Sequence, residues 1–298
     1  MINCSLIGFG EWGKKIYKSI ALHNNLKIKY VCKKNIDRIN QLKLKTKIVS
    51  SFKEAINDQI EAVFIATPSE THFQIAKYAL THKKHIFIEK PVCFNNKEYQ
   101  VLTNLAKENL LILHVNYIHL YNENFTSLIN IYNQRKNNEK TFIKILLGNN
   151  MPIRKKTNVL MDWGPHIFSI LNYILNSCCC DLISSKINSK TNNKSKCNIY
   201  LKFKYKNIYI KALFGNDFKK KNTYISISQN FNRYEYRDSY SKIIQNKKTK
   251  EINFQSKSPL ENSISQFIRS FKNKNDKKEP LLDYITYQLE KTQYKLTK

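Results

Sequence analysis

Ile2-Asn3-Cys4-Ser5-Leu6-Ile7-Gly8-Phe9-Gly10-Glu11-Trp12-Gly13 stands at the front of the chain, an apolar run that ends in three closely spaced glycines. The 298 residues hold only 6 glycines, roughly a third of what ordinary usage of about 7% supplies. Glycine this scarce is kept where the backbone cannot do without it. A helix-like run, residues 12–23, follows at once. Gly-x-Gly-x-x-Gly between a strand and a helix is the fingerprint of a dinucleotide site. In that reading Gly8 allows the tight turn, Gly10 admits a pyrophosphate close to the backbone, and Gly13 lets helix pack on strand. The helix start then points its unpaired N–H groups at the phosphates.

Working outward, residues 1–120 alternate short apolar runs with amphipathic segments, the pattern of a parallel sheet flanked by helices. Candidate strands are 2–7, 27–32, 47–49, 62–66, 85–88 and 110–114. Ser51 with Glu54 and Asn95 with Glu98 resemble capping boxes that start helices, and residues 71–81 carry apolar positions at helical spacing. From Tyr121 the pattern changes. A helix-like run, 159–175, precedes alternating stretches at 197–204, 207–214, 223–228 and 233–240, which read as a half-exposed antiparallel sheet. Helix-like runs at 260–271 and 282–296 close the chain, while 186–196 and 272–278 read as solvated loops. The expected architecture is α/β: a doubly wound parallel sheet over 1–120 that binds NAD(P), then an α+β domain over 121–298 with an open, mostly antiparallel sheet.

Composition narrows the partners. The net charge is +29, yet only 6 of the 51 basic residues are arginine, leaving 45 lysines. Arginine is preferred for forked contacts to phosphate and guanine. The lysines are spread along the chain among many Asn and Ile, the mark of a nucleotide-composition bias, so no specific nucleic-acid partner is expected. Seven cysteines, an odd number without a Cys-x-x-Cys pair, read as reduced and unliganded thiols, adjacent Cys178, Cys179 and Cys180 included. No run of about 18 apolar residues offers a membrane span. The first strand begins at once, leaving no room for a signal peptide, and a cytoplasmic protein is expected.

The second candidate strand ends at Cys32. An acid that holds the ribose diol is usual near this point; here Lys33 and Lys34 stand instead. Two ammonium groups would attract a 2′-phosphate, so NADP(H) is favoured over NAD, with lysine by composition as the competing explanation.

Further on come Thr67-Pro68-Ser69-Glu70-Thr71-His72 and, after the fifth strand, Glu89-Lys90-Pro91. A Thr-Pro-x-x-x-His turn followed by Glu-Lys-Pro resembles the glucose–fructose oxidoreductase/inositol dehydrogenase (Gfo/Idh/MocA) family. In that family the lysine of Glu-Lys-Pro sits beside the nicotinamide and the reacting carbon, which by resemblance makes Lys90 the site lysine. An ammonium there polarises a carbonyl or stabilises an alkoxide. The fingerprint, the second-strand lysines and the resemblance together assign Gly8, Gly10, Trp12, Gly13, Lys33, Lys34, Thr67, Pro68, His72, Glu89 and Lys90 to the cofactor.

Asp162 and His166 are four apart and share a helix face. A carboxylate can orient an imidazole and raise its basicity for a hydroxyl proton; on spacing alone the pair reads rather as a helix-capping Asp with a partly buried His. The resemblance favours the first reading, because an Asp-x-x-x-His pair accompanies the family's site lysine. Lys90 and His166 remain alternative bases. Trp12 within the glycine fingerprint, Tyr121-Asn122 and the Asn158-to-His166 stretch resemble the family's sugar-nucleotide branch. Its members oxidise a nucleoside-diphosphate hexosamine, or its uronic acid, at the ring 3-hydroxyl for surface polysaccharide synthesis. The resemblance runs to the closing helices, including Pro259-Leu260-Glu261, and implies dimers or tetramers built through the open sheet face. Departures are Lys33, Lys83 for the glycine usual before the fifth strand, and Ile167 where Asp is frequent. The expected activity is hydride transfer between NAD(P) and a secondary hydroxyl of a sugar or nucleotide sugar. A free-sugar or inositol dehydrogenase is the alternative. A non-catalytic NAD(P)H sensor would lose Lys90, Asp162 or His166, and all three are present. The histidines show no metal-binding spacing, and no metal is expected.

Overall fold

The structure, a computed structural model, describes residues 1–34, 46–152, 157–176, 180–188, 196–238, 240–254, 256–273 and 280–297. Cys178, Cys179 and most of the expected loops at 186–196 and 272–278 lie outside them. Two compact units divide the chain, Met1–Asn116 with Leu260–Glu279 and Tyr117–Pro259 with Pro280–Lys298.

In the first unit β1 (Ile2–Ile7), β2 (Leu26–Cys32), β3 (Lys47–Val49), β4 (Ala62–Ile65), β5 (His85–Glu89) and β6 (Leu113–Asn116) form one sheet in the order β3-β2-β1-β4-β5-β6. Every pairing is parallel. β4 is buried along its whole length, as expected for a strand covered on both faces. Strand order reverses between β1 and β4, and ligands of such sheets bind outside the carboxyl ends at that point. The flanking helices are α1 (Glu11–Ala21), α2 (Phe52–Ala55), α3 (His72–Thr81) and α4 (Asn96–Glu108). Ser51 and Asn95 cap α2 and α4 by accepting backbone N–H groups, as their spacing predicts. β6 begins three residues later than expected. Leu110 takes a left-handed backbone, φ 55°, just past the end of α4, so the strand starts at Leu113 and ends at Asn116 rather than His114. Lys83 is likewise left-handed, φ 57°, a conformation that favours glycine.

The second unit opens with α5 (Glu123–Arg135), β7 (Thr141–Gly148) and α6 (Val159–Leu175). Then come β8 (Asp181–Asn188), β9 (Asn198–Tyr205), β10 (Ile208–Gly215), β11 (Asn222–Gln229), β12 (Asn232–Arg237), β13 (Tyr240–Gln245) and β14 (Lys248–Ile252). These strands make one sheet ordered β14-β13-β12-β11-β7-β10-β9-β8. Only β7 with β10 is parallel; the other pairings are antiparallel. α5 packs on β12 and β13, and α6 on β7, β9 and β10. Along β7 the side chains alternate, with Ile143 and Ile145 buried and Phe142 exposed. On that outer face Phe142 stacks on Tyr209, ring centroids 5.7 Å apart, and the Lys140 ammonium lies over both rings.

α7 (Pro259–Lys272) belongs to the first unit, whereas the sequence pattern assigns everything beyond residue 120 to the second. Its Phe267 meets Phe64, Phe87 and His114, and its Ser263 hydroxyl bonds His114 Nε2 at 3.1 Å. α8 (Pro280–Thr297) belongs to the second unit and packs on α6 and β8. A side chain on Gly164 of α6 would meet Leu289 of α8 at 2.6 Å, so that glycine permits the close helix approach.

Candidate functional site

The glycine turn works as its spacing implies. Gly8 has φ +97°, and a Cβ there would stand 2.6 Å from the Ala66 carbonyl. Its N–H donates to the Cys32 carbonyl at 2.9 Å, tying the turn to the end of β2. A Cβ on Gly13 would run into the Gly8 carbonyl, while one on Gly10 would meet nothing within 4 Å. Gly10 is the N-cap of α1 and no side chain caps that helix, so its first N–H groups are left for an anion. A pyrophosphate fits this cradle, because the glycine facing it opens onto space and the two behind it are filled by backbone. At the end of β2 the Lys33 N–H is held by the Val49 carbonyl at 3.0 Å; Lys33 is half-buried and Lys34 exposed.

The turns after β4 and β5 are clipped together. His72, 1% exposed, directs Nδ1 to the Pro91 carbonyl at 2.7 Å and Nε2 to the Thr67 carbonyl at 2.9 Å. The Thr71 hydroxyl donates within the same turn, with Thr67 Oγ1 and the Pro68 carbonyl both at 2.7 Å. His72 thus engages backbone with both ring nitrogens. Lys90 follows β5, half-buried, and its bond to Pro91 is cis. Beside it, Glu89 Oε1 accepts the Trp12 indole N–H at 2.5 Å and the Asn116 amide at 2.6 Å.

In the second unit, Asn158 caps α6 by accepting the Met161 N–H at 2.8 Å, which sets Asp162 in the first turn, where the helix dipole favours a carboxylate. His166 lies one turn on, 9% exposed. Its ring stands edge-on to His119 with centroids 5.0 Å apart, and Trp163 lies 6.1 Å away. His119 sits in a short 3-10 turn, Ile118–Tyr121. The structure therefore gathers Gly8, Gly10, Gly13, Trp12, Thr67, His72 and Glu89 with Lys90 around the switch point of the first unit, and Asp162 with His166 in the second. Sequence reasoning gave no role to Asn116, whose strand boundary was misplaced, or to His119, which no motif marks. Among the described residues no group of three His, Cys, Asp or Glu side chains comes together, and no helix is long and apolar enough to cross a membrane. A cleft of about 750 Å³ between α5 and β13–β14 holds none of the candidate residues.

Residues 2–117 match the model of an oxidoreductase family with an NAD-binding Rossmann fold, Gfo/Idh/MocA. The stretch 2–117 is thus an NAD-binding domain of the Gfo/Idh/MocA type. Among curated Gfo/Idh/MocA relatives, the uncharacterized oxidoreductase YrbE of Bacillus subtilis is 27% identical over 58% of this chain and 53% of its own length. The scyllo-inositol 2-dehydrogenase (NADP(+)) IolU of Bacillus subtilis is 27% identical over 38% of this chain and 36% of its own. The UDP-N-acetylglucosamine 3-dehydrogenase of Acidithiobacillus ferrooxidans is 35% identical over 22% and 21%. The chain thus spans about half the length of YrbE and less of the others. The 3-ketoreductase KijD10 from Actinomadura kijaniata, solved with NADP and TDP-benzene, covers 99% of this chain and 98% of its own with a TM-score of 0.86 at 13% identity. That likeness concerns the fold alone: a parallel, doubly wound sheet and a large, mostly antiparallel sheet.

Proposed function

We propose that this Gfo/Idh/MocA chain is an NAD(P)-dependent oxidoreductase acting on a secondary hydroxyl of a sugar or nucleotide sugar. The observation that carries the reading is Lys90, fixed between Glu89 and the clipped Pro91 at the carboxyl end of β5, in a unit whose glycine turn fits a pyrophosphate. Gly8, Gly10, Gly13 and the start of α1 would hold the phosphates, with Thr67 and Pro68 beside them. The nicotinamide, when bound, supplies the hydride acceptor for the substrate carbon. His166 takes the hydroxyl proton onto its ring as the carbonyl forms, Asp162 orients His166, and the Lys90 ammonium offsets negative charge on the oxygen. The second unit is the substrate and oligomerisation domain in this reading. The relatives support a sugar substrate: one is a UDP-N-acetylglucosamine 3-dehydrogenase. A free inositol is the second reading, favoured by IolU.

Lys90→Ala and His166→Ala are expected to lower turnover by about 10²–10⁴-fold while dinucleotide binding, read by fluorescence titration, is largely kept. A panel of inositols, free sugars and UDP-sugars, followed by reduced nicotinamide, identifies the substrate; wild-type turnover in both variants defeats the assignment. Lys33 and Lys34 further imply a lower Michaelis constant for NADP⁺ than for NAD⁺, and Lys33→Asp should reverse that order. Equal or tighter use of NAD⁺ by the wild type removes the lysines from the cofactor site.

A further inference from the structure

Glu89 belongs to the motif that marks the site lysine, yet its carboxylate is committed to protein. Two donors converge on one oxygen, Oε1: the Trp12 indole N–H at 2.5 Å and the Asn116 side-chain amide at 2.6 Å. They come from the first turn of α1 and from the end of β6, where Asn116 lies directly across from Glu89 in the parallel ladder. Both are short, charge-assisted bonds, the stronger class. Asn116 is 1% exposed, and with its amide nitrogen given to Glu89 its Oδ1 has no protein partner. A buried acceptor left unpaired is costly, so the amide is held by the carboxylate against that cost. Trp12 is oriented from its other side by the Lys15 ammonium, 5.2 Å from the ring.

From this geometry we infer that Glu89 is a positioning residue, not a cofactor contact, and that it couples the glycine turn to Lys90. Trp12 and Asn116 pull on the residue immediately before Lys90, while His72 holds the carbonyl of the residue immediately after it. Lys90 is thereby braced on both sides by side chains from three separate elements, α1, β6 and α3. A shift of about 1 Å at such a group costs on the order of 10²-fold in rate, which is the physical reason to fasten it this way. The trait is legible only in three dimensions, because Trp12, Glu89 and Asn116 are separated by 77 and 27 residues.

The kinetic part of this inference rests on the proposed oxidoreductase activity; the structural part does not. In the full-length chain, Glu89→Leu and Trp12→Phe should move the backbone amide resonance of Lys90. Glu89→Leu should also shift the indole N–H signal of Trp12, assigned by its loss in Trp12→Phe, since Trp163 is the only other tryptophan. Both variants should lose about 10²-fold in kcat with the dinucleotide's Michaelis constant near the wild-type value. Glu89→Gln keeps an acceptor oxygen for both donors and should recover at least tenfold of the loss in Glu89→Leu. An unmoved Lys90 amide or Trp12 indole overturns the brace. So does a raised Michaelis constant at unchanged kcat, which would mark Glu89 as a cofactor contact. A wild type without turnover on the whole sugar panel defeats the proposed activity instead, and the two resonances still decide the brace. If Glu89→Leu does not fold, Trp12→Phe still carries the Lys90 amide and kinetic readouts.

Discussion

Gly10 and Gly13 lie three residues apart in one motif and are kept for different physical reasons. Gly13 is held by the fold, because a methyl group would collide with the Gly8 carbonyl, a backbone atom that cannot give way. Gly10 is not held by the fold: its position opens onto space and an added methyl disturbs no protein atom, which in the proposed cofactor site leaves room for the pyrophosphate. Gly13→Ala should therefore cost roughly 3 kcal/mol by overpacking, read as a fall in the urea midpoint at constant slope. Gly10→Ala should unfold like the wild type and bind dinucleotide about tenfold more weakly or worse, since the backbone can no longer approach the pyrophosphate. A destabilised Gly10→Ala, or one that binds normally, would contradict the cradle. Lys83 is the complementary case at this scale: a side chain sits where the backbone, at φ 57°, suits glycine, and the chain tolerates the mismatch.

α7 shows what one element can do that its own sequence does not disclose. Leu260, Ser263, Ile264, Phe267 and Ile268 are its buried positions, and their spacing says that one face is covered. Nothing in that spacing says that the cover is the sheet of the first unit, reached after the whole second sheet has been built. The glycine turn, Glu-Lys-Pro and the run 159–175 were legible because each is contiguous and matches one strand end or one helix. The ends of β6 were not, because a left-handed Leu110 displaced them; α5 (Phe125, Leu128, Ile129, Tyr132) and β7 (Ile143, Ile145, Leu147) keep helical and alternating spacing but carry no motif that marks them. The same contact surface carries a pH effect. His114 is wholly enclosed, stacked on Phe87 at 5.0 Å and bonded to Ser263, and burial pushes its pKa down from 6.5 to about 3. Below pH 6.5 the unfolded chain takes up a proton that the folded chain refuses, so stability is full above that value and falls as pH drops toward 3. Between pH 7 and 5 the first unit should lose about 2 kcal/mol from this group. Urea unfolding at the two pH values measures it, and His114→Phe, which fills the same aromatic cluster, should lose less by that amount. An equal loss in the variant would place the titration elsewhere; His85, whose pKa burial also lowers, acts in the same direction.

At the scale of the molecule, a net charge of +29 creates a field that favours anionic ligands of every kind, so it supports binding of dinucleotides and nucleotide sugars without selecting among them. In the proposed reaction selection belongs to the placed groups, and these are divided between the two units. Lys90 stands on the nucleotide-binding unit and His166 on the other. If they handle charge and proton in a single chemical step, as proposed, removing either already forfeits the step and removing both forfeits little more. If they serve separate events, the penalties multiply, because remote sites add in free energy. The double variant Lys90→Ala/His166→Ala separates the two cases. With each single change costing about 10²–10⁴-fold in kcat/KM, the expected double value lies close to that of the worse single variant, measured against the best substrate from the sugar panel at saturating dinucleotide. A double variant slower by the full product of the two factors would mean that the lysine and the histidine do not share a transition state, and the reaction assigned to the pair would have to be divided between them.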